Sequence, residues 1–139
     1  MSDYRKAASD MKARWNASAA KTAHLMAFFD SLRLSLSREV KRANSALTSE
    51  DLPEIELKDE GSIELTYVGA KCKIHIVSDL NMIHASYVSR SGDGSIRLSV
   101  LEKSDPPVAS ITEISEFCGQ IGPQEAAVAI IEKLLEVAP

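Results

Sequence analysis

Apolar residues recur in steps of three and four through the first fifty residues, and no breaker interrupts them: Pro53 is the first proline and Gly61 the first glycine. Such spacing predicts helix. From Thr22 to about Leu47 the apolar face is strong, carrying Leu25, Phe28, Phe29, Leu32, Leu36, Val40, Ala43 and Leu47. Arg33, Arg38, Lys41 and Arg42 fall mostly off it. From Asp3 to about Lys21 the segment is alanine-rich and weakly amphipathic, with Tyr4, Met11 and Trp15 as its large apolar groups. The series Met11, Trp15, Ser18, Thr22, Leu25, Phe29, Leu32 and Leu36 alternates steps of four and three, a coiled-coil rhythm in which Ser18 and Thr22 are poor seam residues. The pattern predicts one helix over 3–48, or two with a break near Ala17–Thr22. A single helix would be about 65 Å long at ~1.5 Å per residue, longer than a domain of this size. Part of it must then bend back or pack on something outside its own domain.

After Pro53 the period changes to two. Ile55 and Leu57 alternate with charges, and so do Ile63, Leu65 and Tyr67, then Cys72, Ile74 and Ile76, then Ile83, Ala85 and Tyr87, then Ile96, Leu98 and Val100. The alternation predicts five strands over 54–103. A three-residue turn at Asp59-Glu60-Gly61 would pair Leu57 with Ile63. A Gly69-Ala70 turn would pair Tyr67 with Cys72. A turn around Asp79-Leu80 would pair Ile76 with Ile83. Ser91-Gly92-Asp93-Gly94 would bring Tyr87 opposite Val100. Every one of these registers keeps the apolar residues on a single face, as a meander requires.

Residues 108–117 read as either a sixth strand or a helical turn, and Gly119 to Pro123 as a loop. Pro123 suits a helix start, and a helix over 123–137 would turn Val128, Ile131, Leu134 and Leu135 inward. The expected fold class is α+β in a single domain, 1–139. A long N-terminal helix precedes a five- or six-stranded antiparallel meander, and a C-terminal helix packs with it on one sheet face.

Charge adds an asymmetry. Residues 1–48 hold nine Lys/Arg and four Asp/Glu, a net +5, while 49–139 hold seven and sixteen, a net −9. The basic residues are scattered along the helix rather than clustered, which favours docking against acidic protein surface over nucleic acid. The chain has 139 residues with 45% hydrophobic content, enough for a core without staples. No stretch approaches the ~20 apolar residues of a membrane span. Met1-Ser2-Asp3-Tyr4-Arg5-Lys6 lacks a signal peptide's apolar run. Two distant cysteines, Cys72 and Cys118, fit reduced thiols in the cytoplasm.

The best chemical candidate is a histidine pair. The register that aligns Ile76 with Ile83 sets His75 opposite His84 on the polar face, with Cβ atoms about 5 Å apart. Two imidazoles so placed form half of a metal site. Glu64, Thr66, Lys73, Ser86 and Arg97 are expected nearby, and Cys72 on the other face. Cys72 reads as a small buried apolar residue, and His24 as a boundary residue of the helix. No phosphate loop, nucleophile elbow or metalloprotease helix is present, and no cofactor is implied. Trp15, with Met11, is the candidate interface: it is either exposed, buried by a partner or folded back on its own chain. The expected function is a non-enzymatic protein-interaction module whose partner is a second copy of itself, in a homodimer through its N-terminal helix, or another protein. The alternative is a small-ligand or metal-binding protein, or a hydrolase, using a helix–sheet pocket or the His75/His84 face.

Overall fold

The computed structural model describes residues 4–77, 81–100, 109–113 and 116–139. Helix α1 (Tyr4–Ser49) leads into β1 (Glu56–Glu60), β2 (Ser62–Tyr67), β3 (Ala70–Val77), β4 (Met82–Ser89), β5 (Gly92–Val100), β6 (Ala109–Glu113) and β7 (Glu116–Ile121), and helix α2 (Pro123–Val137) closes the chain. The strands form one antiparallel sheet in chain order. The protein is α+β, with both helices packed on each other and on one face of that sheet.

α1 has 46 residues, about 69 Å at ~1.5 Å per residue. Its backbone passes through 17–22 without leaving the helix. Its expected face is the buried one: Leu25, Phe28, Phe29, Leu32, Leu36, Val40 and Leu47 are buried, and Ala43 is half-buried against them. The helix ends where Leu52 N–H donates to the Leu47 carbonyl at 2.9 Å. That six-residue closure needs one left-handed residue, and Asp51 supplies it at φ 58°. Asn44 then ties the next strand down. Its amide donates to the Ile55 carbonyl at 3.1 Å, and its side-chain oxygen accepts from Ile55 N–H at 2.7 Å. Arg33 bridges to Asp59 at 2.9 Å while lying over the Phe29 ring. The edge strand β1 is otherwise charged and exposed, which discourages pairing with another sheet.

The inward sheet face carries Ile63, Leu65, Tyr67, Cys72, Ile74, Ile83, Ala85, Tyr87, Ile96, Leu98 and Val100, all buried. β3 and β4 pair as expected, with Ile76 opposite Ile83; the Asp79-Leu80 turn itself lies outside the described residues. Three other registers differ from expectation. Leu57 faces Leu65, not Ile63, because the chain reverses one residue later, around Gly61. Tyr67 faces Ala70, not Cys72, because the two-residue turn is Val68-Gly69, with φ 41° and 84°. Glycine takes its second position, and valine accepts the left-handed first one. Tyr87 faces Gly94, not Val100, because the turn is Arg90-Ser91 and both Gly92 and Gly94 lie in β5. Ser89 Oγ closes that turn, accepting from Ser91 N–H and donating to the Gly92 carbonyl, each at 3.1 Å. Each shift is by an even number of residues, so facing is preserved.

The count of seven strands exceeds the expected five or six. Residues 109–113 form β6, and Gly119–Ile121, read as loop, belongs to β7. A register shift between Ile111 and Thr112 marks a bulge there. It explains why this stretch lacks clean alternation.

α2 starts with Pro123 at its first turn and Glu125 where a negative charge suits the helix dipole. It buries Ala126, Ala127, Ile130, Ile131 and Leu134, and Tyr87 Oη donates to the Ile130 carbonyl at 2.8 Å. Gly94, opposite Tyr87, leaves room for the buried Lys133; a Cβ there would sit 3.2 Å from Lys133 Cε. Ile130 was not expected inward, and Val128 and Leu135 are only half-buried, so α2 is rotated toward the sheet relative to its predicted face.

Candidate functional site

Three places on the molecule bear on function: the outward face of the sheet, the hollows beside the helices, and the N-terminal part of α1.

On the sheet's outward face, His75 and His84 are direct cross-strand partners, and their rings meet edge to face with centroids 5.3 Å apart. Arg97 follows His84 in the same row, and Lys73 and Ser86 pair in the next. Partial burial, then His75 and the Arg97 charge, hold the His84 pKa below its ordinary value. His84 is therefore neutral at pH 7. Neutral imidazole is the ligating form, but the guanidinium alongside opposes a cation. Glu64 is engaged by Lys71 at 3.2 Å, and that hydrogen bond lowers its pKa. Among the described residues no third His, Cys, Asp or Glu joins the pair to make a metal-holding cluster. Val77 and Met82 on this face are half-buried and Val88 is exposed; residues 4–16 of α1, all exposed themselves, do not cover them.

Cys72 lies on the inward face, fully buried, as its parity predicts. Burial pushes its thiol up to about 12, so it is an inert core group at neutral pH. His24 is exposed at the margin of the α1 core stripe.

The space between helices and sheet is occupied by packed side chains. Two of the hollows among the described residues lie elsewhere. One, of about 640 Å³, is an open polar depression by the C-terminal end of α1, beside Asn44, Thr48 and Glu54. The other, of about 270 Å³, is a groove between α1 and α2. Ala43, Val128, Ile131 and Leu135 form its apolar part, and Glu39, Arg42 and Glu132 its rim. Arg42 is held by Glu39 at 3.0 Å.

The N-terminal part of α1 stands clear of the rest. Every residue from Tyr4 to Asn16 is exposed. Tyr4, Met11 and Trp15 are 77%, 49% and 72% exposed. They follow one another by seven and four residues, so they share one face. That face continues the four-and-three series that the sheet covers from Leu25 onward. The same stripe is thus buried in one half of the helix and open in the other. Met26 and Leu34 are also exposed on α1. Met11 and Trp15 were singled out from sequence. The groove that includes Val128 and Leu135 was not, although the mixture of apolar and acidic residues on α2 was visible.

No family model, characterised protein or solved structure matches this chain. No helix among the described residues is long and apolar enough to cross a membrane.

Proposed function

We propose that this protein is a non-enzymatic protein-interaction module that forms a homodimer through the N-terminal part of α1. The observation that carries the reading is the open apolar stripe Tyr4, Met11 and Trp15, on a helix that extends past its own core. A helix segment with no packed face gains little stability alone, since most helical stability in proteins comes from burying an amphipathic face. Tryptophan and tyrosine are favoured anchors at interfaces. Among the described residues the core begins at Leu25, so removing residues 1–21 takes none of its described members away. The expected result of that deletion is a folded monomer, read by circular dichroism together with sedimentation velocity. A dimer unchanged by the deletion refutes the assigned contact.

A second reading, metal or small-ligand binding, rests on the ring pair of His75 and His84 at 5.3 Å. Replacing both with alanine tests it. Unchanged uptake of zinc or nickel in equilibrium dialysis ends that version.

A further inference from the structure

The geometry points to an acceptor for the open stripe: the groove between α1 and α2 of a second copy of this chain receives Met11 and Trp15, and the exchange is reciprocal. The inference rests on the homodimer reading above and adds where the helix docks.

Four observations support it. First, size. At about 270 Å³ the groove falls below ordinary ligand pockets, which begin near ~300 Å³. A large side chain anchored from an amphipathic helix suits it better than a metabolite.

Second, charge. Residues 4–16 contain four Lys/Arg and one Asp, a net +3. Lys12 and Arg14 flank the stripe on its two sides. On α2, Glu125, Glu132 and Glu136 are all exposed, while its one lysine, Lys133, is buried. These glutamates follow one another by seven and four residues, the same steps as Tyr4, Met11 and Trp15. They form an acidic ridge beside the half-buried Val128 and Leu135.

Third, reach. Trp15 and Ala43 belong to one helix and are 28 residues apart. That separation is about 42 Å along the axis at ~1.5 Å per residue. The stripe therefore cannot enter the groove of its own chain, and complementary surfaces on one chain that cannot meet within it select a second copy.

Fourth, like repels like. Two basic N-terminal segments laid against each other would repel, whereas each is attracted to the acidic side of the other molecule.

The test uses two double variants of the full chain, all at exposed positions. One reverses the stripe's flanks, Lys12→Glu with Arg14→Glu. The other reverses the ridge, Glu132→Arg with Glu136→Arg. Each alone is expected to weaken the dimer at least about tenfold, with circular dichroism unchanged. Mixed in equal amounts they should form a heterodimer of near wild-type affinity, because both contacts then pair opposite charges. If the ridge variant dimerises like wild type while the flank variant does not, the groove is not the acceptor, yet the homodimer through α1 stands. If wild type is monomeric at every concentration, the homodimer reading and this one fall together.

Discussion

At Val68 a β-branched residue occupies the left-handed region at φ 41°, followed by Gly69 at 84°. Left-handed backbone costs an ordinary side chain roughly 1–2 kcal/mol, and asparagine tolerates it better. Val68→Asn should therefore stabilise the protein by about 1 kcal/mol, seen as a higher midpoint in urea. Asn44 makes the opposite case. Both polar atoms of its amide are engaged by the backbone of Ile55, which is buried. Asn44→Ala strands that N–H and carbonyl and should cost about 1–3 kcal/mol, with the loss appearing as a lower urea midpoint. Cys72 gives a pH signature. Its folded pKa, about 12, exceeds the usual 9.0, so the folded state holds this proton more tightly. Stability from this group is complete below about pH 9 and falls as pH rises towards 12. Other groups titrate there too, so the difference between wild type and Cys72→Ala is the readout. The variant should lose less stability over that range.

At the scale of elements, α1 shows how much of this molecule was written in its spacing. The face from Leu25 to Leu47 was legible because steps of three and four place bulky side chains on one side, and the structure buries that side. The strands were legible for the matching reason, a period of two. Their registers were less so. Alternation fixes which face a residue takes but leaves pairings that differ by two residues equivalent, and the turn chooses among them. At Val68-Gly69 the turn used a residue that ordinarily avoids it, so reading glycine first displaced the pairing by two. β7 was missed because the bulge near Ile111 and Gly119 breaks the alternation that would announce a strand. For the candidate sites, parity was enough to set His75 against His84. The groove beside α2 depends on how two helices lie side by side, and neither helix's own period carries that. α1 also supports a prediction of its own. Leu32 is fully buried, so Leu32→Ala should cost about 2–5 kcal/mol. The exposed Trp15→Ala should weaken self-association and, at concentrations where the chain is monomeric, leave the unfolding midpoint unaltered.

For the whole molecule, the core and the open helix divide the work. One side of the sheet is closed by Leu25 to Leu47 of α1 and by α2, which share one core cluster with it. The segment from Tyr4 to Asn16 adds nothing to that core, and it presents three large apolar side chains to solvent. The charge asymmetry follows the same division: the basic part of the chain lies in the helix that reaches out, and the acidic part in the body it leaves. A helix-mediated dimer accounts for both. The direct measurement is the molar mass of the full chain by light scattering behind size exclusion, across a range of concentrations. The account predicts twice the 15.1 kDa chain mass, falling to a single chain when residues 1–21 are removed. A single-chain mass at every concentration for the full protein would contradict it.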